Sequence, residues 1–179
     1  MWALVESNSV SKIYTRPTAI TVGDTNYPAN IMSMWTASEL EAIGIYEVVY
    51  DNSNRRDGRY YFSGPESFTF ADGVVTKSYG TATAKPLADL KTEKKDTVNS
   101  TAAGLLNKYD WYTIRAADGG TAIPSTIATY KAAVRTRSNE MCTQIDNAAN
   151  VDALAALYKY NSDEPPTRPL GEFPDEPTV

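Results

Sequence analysis

Ser67-Phe68-Thr69-Phe70-Ala71-Asp72-Gly73-Val74-Val75-Thr76-Lys77-Ser78-Tyr79 is the stretch that decides the fold class. Two β-favouring runs flank Ala71-Asp72-Gly73, and Asp-Gly is a strong hairpin signal because glycine takes positive φ without a Cβ clash. From Pro86 onward the apolar spacing changes from two to three or four, at Leu87, Leu90, Val98, Ala102, Leu105 and Leu106. This switch predicts an α+β protein. An N-terminal antiparallel β domain is expected over 1–84, a helical hairpin with a short third helix over 85–160, and an extended acidic Pro-rich arm over 161–179.

Upstream of the hairpin, the runs 1–7 and 10–15 suit a first hairpin turning at Asn8-Ser9. Ile45-Tyr46-Glu47-Val48-Val49-Tyr50 reads as a strand that ends in the polar loop 51–57, and Arg59-Tyr60-Tyr61-Phe62 is expected to return as its partner. Thr36-Ala37-Ser38-Glu39 matches a capping box and predicts a short helix through Ala42, stopped by Gly44.

Downstream, Lys91, Lys94 and Lys95 interrupt the apolar stripe of the first long helix, which is therefore only moderately amphipathic. The second, from about Ser125 to Asn147, shows a cleaner face of Ile127, Tyr130, Val134, Met141 and Ile145. Asp110 and Trp111 are expected to close the first helix and Pro124 to sit in the first turn of the second. Asn150 is placed to cap a third helix over 151–159, with Leu154 and Leu157 inward. The final segment carries five prolines together with Asp163, Glu164, Glu172, Asp175 and Glu176. Such a segment builds no core of its own, and it is expected to lie on a neighbouring subunit.

Composition excludes several chemistries. The 179 residues contain no histidine and one cysteine, which removes a Cys/His zinc site, a Ser-His-Asp triad and a histidine base. Cys142, between Met141 and Ile145 on a predicted helix, is expected to be a small buried hydrophobe. The net charge of −5 argues against a nucleic-acid partner, and Asp51 and Asp57 flank the one dense pair, Arg55-Arg56. No apolar run approaches the roughly eighteen residues of a membrane span, and the first residues lack a secretory pattern, so neither a membrane partner nor secretion is expected.

Candidate sites fall away in turn. The loop 51–58 fails as a calcium site because Arg55 and Arg56 stand where oxygen donors should alternate. Asp51, Asp57, Glu66 and Asp72 lie near strand ends, but their spacing selects no pair for glycoside hydrolysis. Gly119-Gly120 lacks the lysine and third glycine of a phosphate cradle. No catalytic residue, metal or cofactor is therefore expected. The twelve tyrosines and three tryptophans supply either core or contact area. Trp2, Trp35, Tyr46 and Trp111 are expected to fill the core, and Tyr60, Tyr79 and Tyr160 to face solvent.

One further pattern carries a setting. Leu105-Leu106-Asn107-Lys108-Tyr109-Asp110-Trp111, followed by Ile123-Pro124 and Tyr130-Lys131-Ala132-Ala133-Val134-Arg135, resembles the phage tail-assembly and tail-fibre accessory proteins. That family ends a helix in paired leucines, continues with Asp-Trp and a Pro-bearing loop, and opens a helix reading Tyr-Lys/Arg-x-x-x-Arg. The opening residues Met1 to Val5, with Trp35, Glu39-Leu40 and the 43–48 run, are more loosely similar to the first domain of phage tail-associated proteins. The chain departs from the family in having Ser100 to Ala103 where an arginine usually precedes the leucines, and Lys131 where arginine is usual.

The resemblance implies a non-enzymatic virion protein of the tail or tail-fibre apparatus, made in the host cytoplasm and retained in the particle. Its partners would be other virion proteins of tail, fibre or neck and further copies of itself. The alternatives are a transient tail-fibre assembly chaperone and a host-glycan-binding module using Tyr60 and Tyr61. The interface candidates are Leu105, Leu106, Asp110, Trp111, Tyr130, Arg135, Tyr160, Pro165 and Pro166.

Overall fold

The computed structural model describes residues 1–178. The fold is α+β, and the chain forms two compact units, Met1–Thr83 and the remainder from Ala84.

In the first unit, β1 (Trp2–Glu6) and β2 (Ser9–Tyr14) form the expected N-terminal hairpin. It turns at Ser7 and Asn8, one residue early, both at positive φ, the geometry that matches strand twist in two-residue turns. A bulge between Leu4 and Val5 leaves Ser11 as the extra residue, so Val10 and Ile13, three apart, face the same side. A small hairpin of β3 (Ile20–Val22) and β4 (Thr25–Tyr27) turns at Gly23, and helix α1 (Ile31–Met34) follows. The sequence reading had assigned neither. Helix α2 (Ala37–Ala42) carries the complete capping box, Thr36 and Glu39 each bonding the other's backbone N–H.

Strand β5 (Ile45–Tyr50) does not pair with the returning 59–62 segment. That segment contributes only β6 (Tyr61–Phe62), which pairs with β9 (Thr83–Ala84) where the chain leaves this unit. The hairpin of β7 (Glu66–Ala71) and β8 (Val74–Tyr79) closes at Asp72-Gly73, both at positive φ, and offers β8 to β5 in parallel. The sheet order is β2-β1-β5-β8-β7. It is thus a mixed sheet, not an antiparallel one. Its outer strands β2 and β7 approach each other, so the sheet curls around Ala3, Val48 and Val75, with the rings of Tyr46 and Phe70 packed against them, tilted to each other at 4.7 Å. Leu4, Tyr14 and Ile45, on the opposite side of the strands, pack with Ile20, Ile31, Met32 and Leu40.

In the second unit, α3 (Leu87–Asn107) lies antiparallel to α5 (Ser125–Asp146), as contacts 91–146 and 99–138 show. The predicted face of α5, Ile127, Tyr130, Val134, Met141 and Ile145, is buried throughout. Two of the three lysines that break the α3 stripe reach along the seam: Lys91 donates to the Asp146 carbonyl at 2.8 Å and Lys95 pairs with its carboxylate at 2.7 Å, placing cations at the negative end of α5. Cys142 is only half-buried, its Sγ 3.7 Å from Asn99 Oδ1. Helix α4 (Asp110–Ala117) occupies the connection, and α6 (Val151–Leu157) is capped by Asn150, which accepts from the Ala153 N–H at 2.8 Å.

The Pro-rich segment does not wait for a neighbour. It lies on its own helices. The Leu170 N–H donates to the Leu157 carbonyl at 2.9 Å, Leu170 is fully buried, and Phe173 packs on the cluster of Ala102, Tyr109, Ile127, Tyr130 and Val134. Arg137 donates to the carbonyls of Leu170 and Glu172, and Lys108 holds Glu176. Val179 lies outside the described residues.

Gly171 has φ +72°, and a Cβ there would run into the Arg137 guanidinium. Gly171→Ala should therefore cost about 1–2 kcal/mol in the strap alone, seen as roughly tenfold faster exchange of the Leu170 amide with α6 amides unchanged. The hydrogen bond from Lys108 also holds the Glu176 carboxyl below the usual glutamate range. A carboxyl lowered in the folded state stabilises above its unfolded value and loses that contribution as pH falls through the folded one. The Phe173 and Tyr109 NMR signals should accordingly shift toward detached values as pH drops below about 4.3, and Lys108→Met should remove that transition.

Candidate protein-interaction surface

Helix α4 begins where the sequence predicts a helix end. α3 stops at Asn107, and Asp110 opens α4 instead of closing α3, its carboxylate in the first turn and Arg115 in the last, each favourable to the helix dipole. Tyr109 and Tyr112 face the core cluster. Trp111 and Ile114, three apart, point the other way and are 50% and 63% exposed. Trp111 is thus a surface residue and not a core one. Its ring lies 3.8 Å from that of Tyr112, and the Arg115 guanidinium sits 4.8 Å above it. The same guanidinium lies 5.1 Å from the Tyr112 ring, so both neighbours touch the indole, and an exposed indole held in this way meets a partner with less rotamer entropy left to lose.

Across from α4, Lys131 lies on the buried stripe of α5. Its Nζ donates to Asp110 Oδ1 at 2.7 Å and Thr113 Oγ1 at 3.0 Å, tying α4 to α5 through one buried ammonium. Lysine, a compact charge on a flexible stem, suits this position, where an arginine would need room for a planar fork. Asp110, Thr113, Ile114, Ile123, Ala128, Lys131 and Arg135 line an open cleft of about 520 Å³. Among the described residues the Arg135 guanidinium makes neither a hydrogen bond nor an ion pair.

The sequence-derived candidates divide three ways. Leu105 and Leu106 are half-buried against the core cluster and Tyr130 is inside it, so these three hold the helices together. Asp110 and Arg135 line the cleft between α4 and α5, while Trp111 stands exposed on α4 outside that lining. Tyr160 is exposed and donates to Glu172 Oε1 at 2.8 Å, and Pro165 and Pro166 stand on an exposed loop nearby. Thr113, Ile114, Ile123, Ala128 and Lys131 escaped the sequence reading as site residues. A signal existed, because positions 127, 131, 134 and 138 share one helical face and enclose Lys131 in the stripe.

Several of the residues weighed for other roles have structural partners. Tyr60, expected in solvent, is 2% exposed, and Arg56 covers the ring of Tyr61 at 4.4 Å. Asp57 is held by Arg59, Asp51 accepts from the Ser53 N–H, and Glu66 pairs with buried Lys77. Among the described residues no group of three or more metal-ligating side chains converges, and no helix is long and apolar enough to cross a membrane. No protein-family model, characterised protein or solved structure matches this chain.

Removing one partner of the Asp110–Lys131 pair leaves the other charge behind. Asp110→Ala, which strands the buried ammonium, should destabilise the second unit by about 1–3 kcal/mol. Lys131→Met, which keeps the stem and removes the charge, should cost under about 1 kcal/mol, and adding it to Asp110→Ala should recover most of the loss. Urea unfolding followed by helical circular dichroism measures the cycle.

Proposed function

We propose that this chain is a non-enzymatic virion protein of a bacteriophage tail or tail-fibre apparatus, acting by binding other virion proteins. The observation that carries the binding reading is Trp111, half-exposed yet held in contact with the Tyr112 ring and the Arg115 guanidinium, beside exposed Ile114. Exposed aromatics fixed in this way supply much of the energy of protein interfaces. The phage setting rests on the resemblance of 105–135, the stretch that builds this same surface.

Whether the chain stays in the particle is a separate matter. The ordered Pro-rich segment was the reason to expect a neighbouring subunit beneath it, and its packing on α3, α5 and α6 withdraws that reason. Retention is read directly from particle composition. Mass spectrometry of purified particles should find the chain at a fixed ratio to a tail protein. Its presence on fibre intermediates and absence from finished particles would establish the chaperone role instead.

Trp111→Ala should lower incorporation or intermediate binding tenfold or more while leaving the helical circular dichroism intact, since the indole is outside the core. Wild-type incorporation of that variant would end the reading.

A further inference from the structure

Two features of the second unit match each other without meeting. The first is a knob. Asn161 closes a short loop on itself: its N–H donates to the Thr167 carbonyl at 2.8 Å, its Oδ1 accepts from the N–H groups of Thr167 and Asp163 at 2.8 and 3.2 Å, and its Nδ2 donates to Thr167 Oγ1 at 2.8 Å and Asp163 Oδ2 at 2.6 Å. Glu164, Pro165 and Pro166 stand exposed on this frame. Among the described residues the Glu164 carboxylate has no ion pair and no hydrogen bond. The ordering of the loop is already complete within the chain, and proline has little further freedom to lose on contact.

The second feature is the cleft beside α4. Ile114, Ile123 and Ala128 give it apolar walls, Arg135 supplies an unpaired guanidinium at its edge, and Lys131 has used two of its three N–H donors. About 520 Å³ lies within the range of clefts that seat a few side chains. A cation beside an apolar hollow calls for an anion beside a compact apolar group. Glu164-Pro165-Pro166 has that chemistry.

We propose that the cleft receives the 163–167 loop of a second copy of this chain, Glu164 forking onto Arg135 and the two prolines seated against Ile114, Ile123 and Ala128. The proposal rests on the protein-binding reading above and names one partner for it. Knob and cleft are different surfaces, so the contact is head-to-tail and leaves each copy with one free knob and one free cleft. Such a contact closes into a ring or runs on as a filament. It is small, so it is weak between free chains and is reinforced where copies are held together.

The test is sedimentation equilibrium of the full chain at concentrations up to about 1 mM, where a contact of only about −4 kcal/mol is half-formed. The wild-type mass should rise with concentration. Arg135→Glu and Glu164→Arg should each lower the association constant tenfold or more. An equimolar mixture of the two should restore it, because each variant then meets a complementary surface on the other. Both residues are exposed, so circular dichroism should be unchanged.

A wild-type chain that keeps the single-chain mass throughout, a variant that associates as wild type does, or a mixture no heavier than its components would each overturn the proposal. These outcomes are separable from failure of the broader reading. A monomeric chain whose incorporation still depends on Trp111 loses only the self-contact, whereas indifference to Trp111→Ala removes the virion-binding surface itself.

Discussion

One helix face organises the second unit. Ile127, Tyr130, Val134, Met141 and Ile145 are buried along α5, each apolar side chain contributing about 1.5–3 kcal/mol over exposure. That stripe alone would fix a two-helix hairpin. What makes the unit specific is that polar groups on or beside the stripe each receive another element: Lys131 takes α4, Ser138 meets Asn99 of α3, Arg137 takes the carbonyls of the C-terminal strap, and Asp146 takes two lysines of α3. Each of these contacts adds direction to a burial energy that has none. Shifting α5 by one residue would displace all of them together.

The Lys131–Asp110 pair shows how such direction reaches the surface. A buried ammonium needs its partners, so α4 is held where Asp110 and Thr113 meet Nζ. Helical periodicity then leaves no freedom for Trp111 and Ile114. With Tyr109 and Tyr112 turned to the core, the residues beside them must face away. The exposed indole is thus a consequence of a buried charge, and its tilted contact with the Tyr112 ring recovers part of the apolar area that exposure forfeits.

The parts of this fold that were legible in the sequence are those governed by local rules. The Asp72-Gly73 turn, the Thr36–Glu39 capping box, the Asn150 cap and the α5 stripe all depend on neighbours within four residues, and all stand as read. The pairing of β5 with β8 depends on a residue separation of nearly thirty, and no local signal distinguishes parallel Val75 from an antiparallel return through 59–62. The break between α3 and α4 was hidden for a related reason. Leu105, Tyr109 and Tyr112 keep spacings of four and three across it and face one cluster, so apolar periodicity runs through a point where the backbone does not. Of the surface, Asp110, Trp111 and Arg135 were legible through a motif, while Thr113 and Ile114 became site residues only once the start of α4 was known.

The C-terminal strap marks the limit of reading composition as architecture. Five prolines and five acids look like a segment with nothing to bury. Composition, however, averages over residues that act singly. Leu170 and Phe173 are enough to seat the chain on the helices, with Arg137 holding the backbone between them and Lys108 holding Glu176 beyond Phe173. The prolines assist, because each removes freedom from the unfolded chain and so lowers what ordering costs. A segment too polar to make a core can therefore complete one made by others, provided that its few apolar side chains arrive in register with a donor that reads the backbone between them. Arg137, bonded to the carbonyls on both sides of Gly171, is that donor, and the glycine is what lets the backbone come close enough to be read.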